Sequence, residues 1–337
     1  MSQVLFLTQS GDDLPSVRFR VLPFMRDAEA RGLEAQRRII PKTLAGRIPF
    51  YASLPRSEVI ILQKRLLSGM ELSMLKSRCD RLAFDFDDAL WATHPNSANK
   101  PGCAAREEKS LSRLKLAAAR ADVVSAGNEF LANRVRPVND NVLVLPTPID
   151  TSAYAPGGPE HKAGADETPC VGWMGTSCNL FFLPEIFRVL GDLSEKARFH
   201  VVSDRPLEQF EWSGVKFSYW SPETELEHLR NMDVGLMPLT DDEYTRGKCG
   251  FKLLQYMACG AAPVASNVGF NAEIIDHGRD GFLADTAEDF TRHVSRLVED
   301  PELRSKIAAA ARKKVVEKFD LRPAAEKLWR GLGLLEP

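Results

Sequence analysis

The feature that most limits how this chain can fold is an alternation of short apolar runs with helix-patterned stretches, carried through once, interrupted, and begun again. Val4–Thr8 (VLFLT), Leu33–Ile40, Glu58–Gln63 (EVIILQ), Arg81–Phe86, Asp122–Ala126 and Asn141–Leu145 (NVLVL) read as strands. Runs this continuously apolar suit strands covered on both faces of a parallel sheet. Pro15–Gly32, Met70–Arg78, Arg106–Arg120 and Asn128–Val135 read as the helices between them. Tyr154–Pro169 (YAPGGPEHKAGADETP) then breaks the pattern with Gly, Pro and charge and no apolar periodicity, which marks a domain boundary. The alternation restarts at Cys170–Met174 and continues through the strands Ala197–Ser203, Val215–Tyr219, Val234–Met237, Ala262–Ser266 and Gly281–Ala284. Helices are expected over Phe182–Leu193, Thr224–Asn231, Gly250–Cys259, Glu288–Glu299, Glu302–Phe319 and Pro323–Leu332.

The expected fold class is α/β, with two Rossmann-like doubly wound domains in tandem, residues 1–160 and 161–322. Residues 323–337 are expected to add a C-terminal helix able to pack back on the N-terminal domain. Ligands of such sheets bind beyond the C-terminal ends of the strands, so a cleft between the domains is the expected active site.

A length of 337 residues suits two domains of about 150 each. The net charge of −2 gives no global field of the kind that binds nucleic acid, and no nucleic-acid partner is expected. The charge is uneven: Arg18–Arg65 holds 11 Lys/Arg against 4 Asp/Glu. That basic region is either a solvated surface or a face for anionic lipid or an anionic substrate, which leaves peripheral membrane contact open. The six cysteines show no C-x-x-C or zinc spacing. The start, MSQVLFLTQSGDD, has no basic leader, and no stretch approaches the roughly 20 apolar residues of a membrane span. The expected location is cytoplasmic, with the inner face of the membrane as an alternative.

The densest chemical signal is Arg246–Ser266, RGKCGFKLLQYMACGAAPVAS. A Gly-flanked loop opens into a helix whose entrance carries Lys248 and Lys252, with Arg246 just before. Free N–H groups and the positive end of the dipole attract phosphate at a helix N-terminus, and cations placed there are unfavourable unless an anion joins them. The pattern fits a diphosphate. Gln255 lies on the same side as Lys252 and is able to bond two ribose hydroxyls, or simply to sit on the surface. Gly172-Trp173-Met174-Gly175-Thr176 is a strand-to-glycine turn that lets backbone approach a diphosphate closely.

At these residues K-x-x-x-K-L-L-Q-Y-M-A-C-G-x-x-P-V-A-S, followed over Val268–Ala284 by V-G-x-N-x-E-I-I-x-H-G-x-x-G-F-L-A, resembles family 4 glycosyltransferases of the GT-B fold (glycosyl transferases group 1). The resemblance covers most of the C-terminal domain. It extends more weakly to Pro15-Ser16-Val17-Arg18-Phe19-Arg20 and Phe84-Asp85-Phe86-Asp87-Asp88. It implies retaining transfer from a nucleotide-diphosphate sugar, a UDP- or GDP-sugar, without an obligatory metal or other cofactor. It further implies a glycan, lipid-linked or small-molecule acceptor. The family motif carries two glutamates; the ribose-contacting one is Gln255 here, and the one that reaches the donor sugar is Gly247. Sugar recognition must then come from elsewhere, such as the backbone of Cys249–Phe251.

The donor-binding set expected from these readings is Gly175, Thr176, Arg246, Lys248, Gly250, Phe251, Lys252, Leu253, Gln255 and Glu273. Glu273 is also a plain dipole-pairing residue at a helix start. Asp85, Asp87 and Asp88 follow an apolar strand, and three carboxylates so close repel unless solvated, paired or metal-bound. They read as an acidic group facing the acceptor or reacting sugar, as a strand end pairing with Arg18 or Arg20, or as a D-x-D metal site, which the tandem-domain pattern disfavours. Asp87, Asp85 and Lys252 are the catalytic candidates; Gly11, Arg18 and Asp88 are acceptor-side candidates, with Asp12 and Asp13 beside Gly11; no metal ligand is expected. Cations on the leaving diphosphate would assist bond cleavage. His94 and His277 are isolated. Three other classes remain: a non-catalytic sugar-nucleotide-binding partner protein, a sugar-nucleotide epimerase on the same fold, and, weakest, a dehydrogenase, since neither half carries G-x-G-x-x-G.

Overall fold

The computed structural model describes residues 3–12, 14–158, 167–206 and 214–336. Asp13 and the expected boundary at residues 160 and 161 lie outside the described residues. The chain forms two compact units: Met1–Pro148 with Asp242–Cys249 and Leu321–Pro337, and Ile149–Asp241 with Gly250–Asp320. Each unit holds one parallel six-stranded sheet, as the doubled alternation in the sequence implies.

The strands of the first unit are β1 Val4–Thr8, β2 Ala35–Ile39, β3 Ser57–Gln63, β4 Cys79–Phe86, β5 Val123–Ala126 and β6 Val142–Val144, in the order β2-β1-β3-β4-β5-β6. β1, β3, β4 and β5 are nearly all buried, whereas edge strand β2 is half-exposed. Their apolar runs therefore need no in–out alternation, because helices cover both faces. The chain order reverses between β1 and β3, so the C-terminal ends of those two strands flank the crevice where such sheets take ligands. The single helix expected over Pro15–Gly32 is corrected to two, Pro15–Arg20 and Leu22–Ala30. Pro23, in the first turn of the second, has no N–H to continue the first helix, and a proline is tolerated at such a start.

The C-terminal helix Leu321–Gly331 belongs to this first unit. Trp329 is fully buried, with its ring edge-on to Phe6 (6.5 Å) and Phe24 (6.2 Å). Its Nε1 donates to Asp27 at 2.7 Å, so the indole is buried without an unsatisfied polar atom.

The second unit holds β7 Cys170–Met174, β8 Arg198–Ser203, β9 Val215–Tyr219, β10 Val234–Met237, β11 Ala262–Ser266 and β12 Phe282–Ala284, ordered β12-β11-β10-β7-β8-β9. Here the order reverses between β7 and β10, and Gly175 follows the end of β7. The helix Phe251–Ala258 packs on this sheet: Tyr256 is buried and its hydroxyl accepts the N–H of Met174 at 2.9 Å, tying the helix to the end of β7. Arg312 donates to the carbonyl of Ala258 at 2.9 Å at the C-terminal end of that helix, where a cation is favourable. Among the described residues no helix is long and apolar enough to cross a membrane.

Trp329→Ala should destabilise the first unit by about 3–5 kcal/mol, the usual cost of emptying a large aromatic site. Urea unfolding followed by backbone circular dichroism should show an early transition, and a variant that unfolds like the unsubstituted chain would remove this helix from the core.

Candidate active site

In the first unit a charged cluster stands where β3 and β4 end. Arg20, with no exposed side-chain surface, donates to both carboxylate oxygens of Asp85 at 2.8–3.0 Å. Its remaining N–H groups reach the carbonyl of Leu145 (2.8 Å), Thr147 Oγ1 (3.3 Å) and Ser125 Oγ (3.0 Å). All five donors of the guanidinium are thus engaged, and Asp85 is fully committed to the pairing with Arg20 that stood among its alternatives. Asp87 is placed differently. Its Oδ1 lies 3.0 Å from Lys64 Nζ, and its Oδ2 accepts a longer hydrogen bond, 3.4 Å, from Thr147 Oγ1. Burial opposes ionisation of Asp87, but the charges of Lys64 and Arg20 outweigh it and hold the carboxyl below its ordinary value. Asp88 also pairs with Lys64, and its side chain is more open, 41 % exposed against 13 % for Asp87. Each of the three carboxylates therefore faces a cation of its own unit, which answers their mutual repulsion without a metal. Among the described residues no group of three or more His, Cys, Asp or Glu is arranged to hold a metal ion.

The segment Asp242–Cys249 packs onto this cluster, and it corrects the placement of Arg246 and Lys248: both belong to the first unit, whereas the helix Phe251–Ala258 belongs to the second. The reason is local. Asn128 Nδ2 donates to the carbonyls of Arg246 (3.4 Å) and Lys248 (3.1 Å). Glu243 accepts from Trp91 Nε1 (2.6 Å) and Arg134 (2.7 Å). Lys248 Nζ lies 4.5 Å above the Tyr244 ring. The Cys249 thiol, raised well above its ordinary value by burial and by the charge of Asp87, stays protonated and donates to the carbonyl of Asp87 at 3.2 Å. Gly247 is pressed on the chain that follows Asp88: a Cβ there would lie 2.5 Å from Ala89 Cβ and 2.7 Å from its nitrogen. Backbone cannot yield as a flexible side chain would, so this position has no room for the glutamate of the family motif.

In the second unit, Gly250 (φ 60°) opens the helix Phe251–Ala258. A side chain there would be strained and would meet Ile274. Lys252, in the first turn, runs its stem so close to Gly175 that a Cβ on the glycine would collide with Lys252 Cε, and its ammonium sits 5.6 Å from the Trp173 ring centre. The structure thus brings Gly175, Gly250 and Lys252 together at the reversal of the second sheet. Thr176 is exposed beside them, its Oγ1 accepting from Asn179 Nδ2 at 2.8 Å. Gln255 is buried and donates to Glu225 Oε1 at 3.4 Å. Glu225 also accepts from Trp220 Nε1 (2.8 Å) and from the Tyr154 hydroxyl. Phe251 is half-buried and Glu273 is exposed on the helical turn Asn271–Ile274. Leu253 is corrected: its side chain is wholly inside the core and its N–H bonds the carbonyl of Gly250, so neither is presented to a ligand.

Of the acceptor-side residues, Gly11 is exposed in the turn after β1, Arg18 lies half-buried over the Phe19 ring at 4.7 Å, and Asp88 joins the Lys64 cluster. Sequence reasoning missed Lys64, Thr147, Glu225 and Cys249. Lys64 had a signal, since it directly follows the apolar run EVIILQ and so occupies a C-terminal strand end, as Asp87 does. Thr147 and Glu225 had none, because their partners are distant in sequence. Gly247→Ala should cost about 1–3 kcal/mol through overpacking, read as an earlier urea midpoint of the first unit. An unchanged midpoint would mean that Ala89 gives way.

Residues 170–300 match the family model described as Glycosyl transferases group 1. No curated protein sequence matches the chain. Solved structures are similar over nearly the whole length. The Anabaena protein HepE, in complex with UDP and glucose, shares 15 % identity over 99 % of this chain and 100 % of that one, with a TM-score of 0.72. Sucrose-phosphate synthase from Thermosynechococcus elongatus shares 14 % over 99 % of each chain, with a TM-score of 0.76. A glycosyltransferase from Rickettsia africae shares 11 % over 98 % of this chain and 97 % of that one, with a TM-score of 0.69. At such identities the likeness establishes the fold, two parallel sheets of GT-B architecture, while residues 170–300 carry the group 1 glycosyltransferase sequence.

Proposed function

We propose that the chain is a retaining glycosyltransferase of the family 4 type that takes a sugar from a UDP-sugar and passes it to a saccharide acceptor, free or lipid-linked, in glycan biosynthesis. The observation that carries this reading is Lys252, aimed along the Gly175 turn at the reversal of the second sheet. A cation in the first turn of a helix, beside a turn that tolerates no side chain, suits a diphosphate. Gln255, adjoining Glu225, is assigned to the ribose. HepE, similar in fold, binds UDP and glucose, which favours uridine over guanosine as the base. Membrane contact, if it accompanies a lipid-linked acceptor, falls to the basic first unit, on the cytoplasmic side.

In this scheme the bond from the sugar C1 to the diphosphate breaks as Lys252 stabilises the charge that grows on the leaving group. The acceptor oxygen bonds C1 on the same face, and its proton passes to the leaving phosphate. Asp87, ionised, accepts a hydrogen bond from a hydroxyl of the acceptor side and orients it. Asp85 acts through Arg20 to hold that loop, and touches no substrate.

The closed site at Gly247 favours one further reading, a sugar-nucleotide-binding protein that no longer catalyses. Incubation with UDP-, GDP- and ADP-sugars separates the two: stable nucleotide binding with no sugar released or transferred from any of them would sink the enzyme reading. Lys252→Ala should weaken UDP about ten- to a hundredfold, the worth of a charge-assisted hydrogen bond, and leave uridine nearly unaffected in calorimetric titration. An equal loss for both would move the phosphate elsewhere. Asp87→Asn should keep UDP affinity within about twofold and lower transfer by at least about a hundredfold. A large loss of UDP affinity would take Asp87 off the acceptor side.

A further inference from the structure

We infer that Lys64 is the positioning residue of the first unit, holding the Asp87 carboxylate ionised and fixed in direction beside β3 and β4. The inference rests on the acceptor-side reading of Asp87. Four observations support it. Lys64 directly follows β3 at the reversal of the first sheet, the place where ligands of such sheets bind. It has φ 52° and, among the described residues, is the only non-glycine in the left-handed region, which a lysine rarely adopts unless its surroundings enforce it. The N–H of Lys64 donates to the carbonyl of Asp85 at 2.8 Å, which keeps its backbone registered on β4. From that backbone the side chain, only 11 % exposed, delivers its ammonium to Asp87 Oδ1 at 3.0 Å and to Asp88.

The neighbouring groups leave the direct contact with Asp87 to Lys64. Arg20 adds its charge from the helix Pro15–Arg20, but every one of its donors is taken by Asp85, Leu145, Thr147 and Ser125, so it neither bonds nor directs the Asp87 carboxylate. Thr147 offers Asp87 a hydrogen bond of 3.4 Å and no charge. Cys249 faces Asp87 as a neutral thiol, through the backbone carbonyl. Asp85 and Asp88 add only negative charge, which by itself favours the neutral form of Asp87. Burial works in the same direction. Remove the ammonium and Asp87 should take up a proton at higher pH; its acceptor-orienting oxygen would then become a donor. The sign follows from the depressed carboxyl: what Lys64 supplies is present above the ordinary carboxylate range and is lost as pH falls through the lowered value.

The test uses the full chain labelled with 13C-aspartate, with the Asp87 Cγ signal assigned by its absence in Asp87→Asn. Lys64→Gly removes the ammonium and relieves the left-handed backbone; Lys64→Asn is the second variant, since asparagine also tolerates that conformation. In the unsubstituted chain Asp87 should remain ionised below the ordinary midpoint of about 3.9, and in both variants its midpoint should rise by about one pH unit or more. Lys64→Arg should keep the low midpoint. A midpoint unchanged in either folded variant, as judged by circular dichroism, overturns the inference. UDP-glucose turnover, measured in parallel, keeps the two readings apart. If Asp87→Asn consumes UDP-glucose as fast as the unsubstituted chain, the acceptor-side role of Asp87 fails even where the titration upholds Lys64. If Asp87→Asn is inactive and the titration does not move, Lys64 alone is wrong.

Discussion

The first unit is organised around the buried guanidinium of Arg20. Taking such a charge out of water costs several kcal/mol unless every donor is met, and here Asp85, Ser125, Thr147 and the carbonyl of Leu145 meet them all. Those partners come from β4, β5 and the segment after β6, so one side chain fixes the ends of three neighbouring pieces of the sheet. The pair is better understood as a device for geometry than as a source of stability, because a buried ion pair repays little beyond its own desolvation. What it sets is the direction of the loop that leaves β4. Asp85 is spent on the pair, and Asp87, two residues on and itself largely buried, is left to Lys64.

The second constraint is the path of the chain at residues 242–250. Asp242–Cys249 is built into the first unit, held by Asn128, Trp91 and Arg134, and Gly250 opens the helix Phe251–Ala258 of the second. The Cys249 thiol holds the carbonyl of Asp87, so the residue before the donor helix is hydrogen-bonded to the backbone of the proposed acceptor-side carboxylate. Cys249 and Asp87, far apart in sequence, are thereby fastened within the first unit by a thiol kept protonated by burial.

Much of this architecture was legible in the residues. The doubled alternation of apolar runs and helical patterns gave twelve strands close to their observed positions, because strands buried on both faces announce themselves as unbroken apolar runs. Boundaries slipped where proline chemistry intervened, as at Pro23. The glycine-opened helix start that carries Lys252 was readable because glycine, lysine and helix start are adjacent in sequence. The cluster around Asp87 was half readable. An acidic strand end needing a cation was clear, and Arg20 was among the partners considered, but Lys64 comes from a different strand end and nothing local points from one to the other. Leu253 shows the opposite: it adjoins Lys252 in the motif, yet helical periodicity turns that position into the core.

Gly247 bears on what kind of donor reader this chain is. In the motif it resembles, one segment supplies side chains to both the nucleotide and the sugar. Here the nucleotide half keeps its chemistry, with Lys252 at the helix entrance and an amide in place of a carboxylate at Gln255. The sugar half has instead become a packing surface, with backbone set against Ala89. The contact with Ala89 that excludes a side chain at 247 lies two residues from the Cys249 thiol that holds the carbonyl of Asp87, so the same short segment both lacks the glutamate and is fastened to the loop after β4. Under the proposed function, discrimination among sugars falls to groups other than a side chain at 247, and the backbone before Phe251 and the exposed Glu273 are the candidates.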